Sequence, residues 1–130
     1  MKHQFNYRVI YKDTDAEGVV YYANYLGFFE RGRTELLEKM KIDLRKVKDK
    51  DGIVFAVTNV NCDYKSPALL YDEITVATEI ESKTAVRIVF KQEVLRGKDI
   101  LVSASITACA LSLKDFKPAR LPAELKTARS

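Results

Sequence analysis

The residues able to do chemistry gather in one stretch, Tyr11-Lys12-Asp13-Thr14-Asp15-Ala16-Glu17-Gly18-Val19-Val20-Tyr21-Tyr22-Ala23-Asn24-Tyr25. Turn formers fill its first half, and a helical apolar pattern begins in its second. Asp13 and Asp15 therefore stand at a strand-to-helix junction, where backbone N–H groups lack partners and the helix dipole is positive. Such a junction can hold a developing oxyanion, and a carboxylate beside it can act as nucleophile or as base for water. The same residue types also serve as plain turn and cap residues. Asp13 fits that second role better than a reacting one.

Absences narrow the chemistry further. The 130 residues include one histidine, His3, and two cysteines, Cys62 and Cys109. One chain cannot build a His-rich metal site or a four-thiolate site, so no metal is expected. A Ser-His-Asp or Cys-His arrangement would depend on His3, close to the terminus. Acid–base work therefore falls on carboxylates. Each cysteine lies in a strand-like run and reads as a buried free thiol.

The formal net charge is +4, from 22 Lys plus Arg against 18 Asp plus Glu. The basic residues concentrate at positions 39–50 and in a tail carrying Lys114, Lys117, Arg120, Lys126 and Arg129. A nucleic-acid surface interleaves aromatics with such charges. Here the aromatics concentrate at 21–29 instead, so no nucleic-acid partner is expected. Positions 1–10 show no leader pattern, and no uncharged run reaches the length of a membrane span. A cytoplasmic protein is the expectation.

The elements that must position Asp15 follow from periodicity. Residues 5–10 read as a short strand. Tyr22, Leu26, Phe29, Arg33, Leu36, Leu37 and Met40 recur at helical steps, with Asn24 as the expected N-cap. Gly27 and Gly32 inside that helix imply that something packs close to it. Period-two patterns then mark strands at 53–64, 73–81, 84–95 and 100–113. Ile100, Val102, Ala104, Ile106, Ala108 and Ala110 alternate along the last. Residues 1–130 read as a single α+β domain, with a curved antiparallel sheet wrapped around one long helix. The long strands leave an edge that a second copy would cover, so a dimer is expected.

Asp13-Thr14-Asp15-x-x-Gly18-Val19-Val20-Tyr21-Tyr22-x-Asn24-Tyr25, followed by Phe29-Glu30-x-Gly32-Arg33-Thr34-Glu35, resembles the 4-hydroxybenzoyl-CoA thioesterase family of hotdog folds. Its nearest branch is the acyl-CoA thioesterases associated with the Tol-Pal cluster. The resemblance continues through Asp63-Tyr64-Lys65-Ser66-Pro67-Ala68 to Pro118-x-Arg120-Leu121-Pro122, so it spans essentially the whole chain. It implies a hotdog fold and an acyl-CoA substrate, with no cofactor beyond the coenzyme A that the substrate carries. It implies Asp15 as nucleophile or general base and the backbone N–H of Tyr22 as the group polarising the thioester carbonyl. Tyr11 matches a tyrosine of the nearest branch, and Gly18 and Val19 belong to the same substrate-facing loop.

The family's site lies at a subunit interface, in a dimer or a dimer of dimers. Thr58 and Asn59 are the candidates to complete it from the partner. Lys83, Lys117 and Arg120 are the candidates for the phosphates of coenzyme A. The Tol-Pal branch usually has histidine where this chain has Tyr22, a position at which the chain resembles the 4-hydroxybenzoyl branch. A thiolate leaves easily, because thiol pKa values lie near 8.5, so hydrolysis does not require a histidine acid. The alternative reading is a non-catalytic hotdog module that binds acyl-CoA or acyl carrier protein.

Overall fold

The computed structural model describes residues 1–127. The side chain of Lys126, and Arg129, lie outside the described part. The chain runs β1 (Lys2–Arg8), a 3-10 turn (Tyr11–Asp13), α1 (Asn24–Lys39), α2 (Leu44–Lys46), β2 (Ile53–Tyr64), β3 (Glu73–Lys83), β4 (Arg87–Arg96), β5 (Asp99–Ser112) and α3 (Ala123–Thr127). The five strands form one antiparallel sheet in the order β1-β3-β4-β5-β2. None of its helices is long and apolar enough to cross a membrane.

Helix α1 lies on β3 and β1, the half of the sheet away from β2. Its buried stripe is Tyr25, Phe29, Gly32, Leu36 and Leu37. Two apolar clusters flank this stripe. One, around Phe29, Val76 and Ile106, lies under the first half of α1. The other, around Leu36, Phe90 and Leu121, lies under its second half. The expected apolar face was therefore too broad. Tyr22 precedes α1 and is exposed, and Leu26 is exposed on a side of α1 that its packing on β3 and β1 leaves uncovered.

Several boundaries differ from expectation for local reasons. Strand β1 spans Lys2–Arg8 instead of 5–10, because Lys2 already pairs with Glu79. His3 is thereby held, its Nε2 lying 2.8 Å from Glu35 Oε1. Strand β4 starts at Arg87, because the Thr84 hydroxyl accepts the N–H groups of Val86 and Arg87 and closes a turn. A bulge at Leu101 buries both Leu101 and Val102, which turns Ile100 outward against the expected alternation. Asn24 is not the N-cap. Ala23 holds that position, and Asn24 is the first helical residue.

The two helix glycines have different reasons. A Cβ at Gly32 would run into Thr78 Oγ1 and come within 3.1 Å of Gln92 Nε2. Nothing lies within 4 Å of a Cβ at Gly27, so close packing explains only Gly32. Gly27→Ala should raise stability by about 0.5–1 kcal/mol through helix propensity. Gly32→Ala should lower it by about 1–3 kcal/mol through overpacking. Urea denaturation reads both, and shifts of the same sign would contradict this packing.

A second stability prediction concerns the contact between β1 and α1. The Arg31 guanidinium, with Nε 2.6 Å from Glu35 Oε2, holds the Glu35 carboxyl below its ordinary pKa. The His3 contact adds to this, and partial burial opposes it. The contribution is fully present above the unfolded glutamate value of about 4.3 and is lost as pH falls through the lower folded value. Glu35→Gln should flatten the acid limb of stability against pH. An unchanged acid limb would count against the contact.

Candidate active site

The loop between β1 and α1 is built around Asp13. Its carboxylate is buried and accepts the Tyr7 hydroxyl at 2.8 Å and the Ile10 N–H at 2.9 Å. Its carbonyl accepts the Tyr21 N–H at 3.0 Å and Asn24 Nδ2 at 2.9 Å. Asp13 thus ties the end of β1 to the start of α1, two bonds on each side, the turn role expected of it.

Two residues on, Asp15 opens a tight turn. Its carbonyl accepts the Gly18 N–H, its N–H donates to the Val19 carbonyl, and its Oδ1 accepts the Glu17 N–H at 3.0 Å. Gly18 has φ +79°, a backbone conformation glycine adopts without strain. The turn leaves Asp15 half-buried at the loop surface. From Val20 the chain is fixed to the 64–72 connection, since the Val20 N–H donates to the Ala68 carbonyl at 2.8 Å. The Ala68 N–H in turn donates to the buried Tyr25 hydroxyl.

The start of α1 presents unpaired donors. Asn24, Tyr25 and Leu26 donate to the carbonyls of Tyr21, Tyr22 and Ala23. Among the described residues, the N–H groups of Tyr22 and Ala23 donate to no backbone carbonyl. A groove of about 200 Å³ opens beside them, with Tyr22, Tyr25, Tyr64, Lys65 and Ser66 in its walls. Its aromatic rings are layered. Tyr22 packs on Tyr21 at 4.9 Å and edge-on to Tyr64 at 6.1 Å, and Tyr64 packs on Tyr25 at 5.7 Å. Burial, aided by a hydrogen bond with the Cys62 thiol, pushes the Tyr64 phenol up to about 12, so it stays neutral at physiological pH. A carboxylate, a helix N-terminus with free N–H groups and an apolar groove are the parts an acyl-transfer site requires.

The structure holds Asp15, Gly18 and Val19 in one turn, with Tyr22 just before α1 and Tyr11 exposed ahead of the turn. It does not bring the other candidates to them within one chain. Thr58 and Asn59 lie on the open edge of β2, six residues before Tyr64, which is about 20 Å of strand. Lys83 sits past the far end of α1, where its Nζ donates to the Leu125 carbonyl at 2.9 Å. Lys117 and Arg120 are exposed at that same end, where the Lys117 carbonyl accepts the Ser112 N–H.

Tyr64, Lys65 and Ser66 line the groove and were not assigned a role from sequence. Their signal was the stretch at 63–68, whose Pro67 marks the end of β2. Among the described residues, no three His, Cys, Asp or Glu side chains gather as a metal site.

Comparison with known proteins gives a consistent set. Residues 17–103 match the family described as the thioesterase superfamily. The acyl-CoA thioesterase YbgC of Haemophilus influenzae is 37% identical over 124 residues, covering 95% of this chain and 91% of that protein. The crystal structure of a probable thioesterase from Bartonella henselae superposes with a TM-score of 0.88 at 34% identity, covering 94% of this chain and all of that one. A 4-hydroxybenzoyl-CoA thioesterase solved with 4-hydroxybenzoyl-CoA superposes with a TM-score of 0.87 over 96% of each chain. At 18% identity that likeness concerns the fold alone, and the fold is the hotdog.

Proposed function

The chain belongs to the thioesterase superfamily and is an acyl-CoA thioester hydrolase, and from that premise we propose that Asp15 and the Tyr22 N–H perform the cleavage. Asp15 either attacks the thioester carbonyl, giving an acyl-aspartyl anhydride that water then hydrolyses, or takes the proton of a water that attacks the carbonyl directly. The Tyr22 N–H, at the positive end of α1, holds the oxyanion. The carbonyl re-forms as coenzyme A leaves as a thiolate, an easy leaving group with a conjugate-acid pKa of about 8.5. One observation carries the reading: the half-buried Asp15 is pinned in a tight turn of the loop that leads into a helix start whose Tyr22 and Ala23 N–H groups donate to no backbone carbonyl among the described residues. No cofactor is needed beyond the coenzyme A of the substrate, and the cytoplasm is the compartment that fits.

The site is completed by a second copy. Strand β2 is a twelve-residue edge with exposed Val57 and Val60, the kind of edge that invites pairing. A two-fold axis across β2 pairs it antiparallel with its own copy. With that axis near Asn61, the partner's Thr58 and Asn59 lie beside this chain's Tyr64 and Asp63, and the partner's cationic end follows beyond them. That arrangement lets Thr58, Asn59, Lys117 and Arg120 serve a site they cannot reach within one chain. Lys83 is the weakest of the group, since its ammonium holds the Leu125 carbonyl. A dimer, or a dimer of dimers, is therefore the working form.

The test is thiol release from short-chain acyl-CoA with the intact protein. Turnover that saturates with substrate supports the reading. Coenzyme A binding without thiol release would hand the chain to the alternative, a non-catalytic hotdog module for acyl-CoA or acyl carrier protein.

A further inference from the structure

One aromatic residue stands among the cations of the 114–120 segment. Of the six phenylalanines, five are buried or half-buried, and Phe116 is 64% exposed. Its φ of +56° lies in the left-handed region that a bulky residue rarely adopts. Among the described residues, no aromatic ring or guanidinium stacks on it. A glycine here would relieve the backbone and leave no apolar ring in water. The turn nevertheless fixes the residue. The Phe116 N–H donates to the Ser112 carbonyl at 2.7 Å, and the Ser112 N–H donates to the Lys117 carbonyl at 2.9 Å. The Leu113 N–H donates to the Gly52 carbonyl at 2.8 Å, so the turn stands beside the start of β2.

The charges of the segment favour an anion. Lys114, Lys117 and Arg120 are exposed and pair with no carboxylate among the described residues. Asp115 is the one acid of the segment, and its Oδ1 accepts the Lys117 N–H at 3.1 Å. An unstacked ring within two residues of two free ammonium groups suits a ligand with a flat base and phosphates.

We propose that Phe116 of the partner subunit is the platform on which the adenine of coenzyme A stacks, with Lys114 and Lys117 of the partner subunit taking the ribose 3′-phosphate. The inference rests on the proposed function, since it takes the thioester at Tyr22 and the two-fold pairing of β2. Length decides which copy supplies the ring. About 17 bonds separate the sulfur of coenzyme A from its ribose, a span of about 20 Å when extended. Within one chain, Tyr64 and Gly52 stand at opposite ends of β2, about 40 Å apart, which is twice that reach. In the pair, the partner's Thr58 lies beside Tyr64. From there about 20 Å of strand leads to the partner's Gly52 and the turn bonded to it. The two lengths match.

The experiment compares an acyl-CoA with the acyl-pantetheine of the same acyl group, which lacks the nucleotide. Phe116→Gly removes the ring and suits the left-handed backbone, so the fold is kept. It should lower the CoA-to-pantetheine ratio of kcat/KM about ten-fold, within the range for one base on one aromatic ring. Phe116→Tyr keeps the ring and should hold the ratio within about two-fold of wild type. By calorimetry, adenosine 3′,5′-bisphosphate should bind wild type about ten-fold more tightly than Phe116→Gly. Co-refolded with a large excess of Asp15→Asn, each Phe116→Gly chain faces an intact ring, and the ratio should return to the wild-type value.

A ratio that Phe116→Gly leaves unchanged overturns the proposal while leaving thioester hydrolysis intact. So does a ratio lowered equally by Phe116→Tyr, and a ratio that stays low in the mixture contradicts the partner's ring. Hydrolysis of neither acyl-CoA nor acyl-pantetheine would instead sink the proposed function, and the calorimetry would still decide whether Phe116 binds the nucleotide.

Discussion

Asp15→Asn lowers kcat for acyl-CoA hydrolysis by about 100-fold or more, the order expected for losing a positioned nucleophile or base. The substitution keeps the shape of the side chain. The carbonyl oxygen of the new amide can still accept the Glu17 N–H that Asp15 Oδ1 accepts, so the turn survives. The amide can neither attack a carbonyl nor take a proton from water. The Tyr22 N–H remains in place to hold the oxyanion, so some activity persists. Coenzyme A affinity should change little, because the carboxylate contributes to the reacting centre and not to the nucleotide end. A loss confined to KM, with kcat intact, would move Asp15 out of the chemistry and into binding.

Gln92→Leu costs about 3 kcal/mol of stability, the largest effect expected outside the active site. The amide of Gln92 links β4 to α1 and β3, and it bonds to three partners at once. Leucine matches its bulk but satisfies none of them. The Phe29 carbonyl has its helical bond to fall back on. The Thr78 hydroxyl is fully buried and has none, and the Arg33 guanidinium loses its only side-chain acceptor among the described residues. Thermal denaturation should show Tm falling by roughly 10 °C, given a few degrees per kcal/mol for a domain of this size. A fall of under about 2 °C would mean that water reaches and replaces these bonds.

Much of this architecture is legible in the chain itself. The bounds of β2 are legible because Gly52 and Pro67 bracket a run rich in strand-forming residues. The Asp13-to-Asn24 loop was legible because turn formers abut a helical pattern there. The three bulges left no such mark. Thr58, Glu81 and Leu101 are ordinary strand residues, and only the pairing with neighbouring strands shows that one residue has been added. That is why Ile100 was placed inward. Gly27 and Gly32 look alike in sequence, yet only Gly32 meets a neighbour, and that neighbour comes from β3, far along the chain. The helix face was drawn too wide for a related reason. Periodicity reports which side of α1 is apolar, but not that the sheet covers only part of that side and leaves Leu26 exposed. The roles proposed for Thr58, Asn59, Lys117 and Arg120 require a second copy, and no single-chain pattern reports their distance from Asp15.

The central claim is that Asp15 of one copy works with the β2 edge of another, and mixed oligomers test it most directly. Asp15→Asn and the double variant Thr58→Arg/Asn59→Arg are each nearly inactive alone. The first lacks the carboxylate, and the second carries bulky charge on the edge that should complete a partner's site. Co-refolded in equal amounts, they form mixed pairs in which one site has both an intact Asp15 and an intact facing edge. Random pairing then restores about a quarter of the wild-type activity per active-site pair, as two-fold symmetry requires. Mixtures that stay as inactive as their components would contradict the shared site, and an Asp15→Asn protein that is active by itself would contradict the role of Asp15.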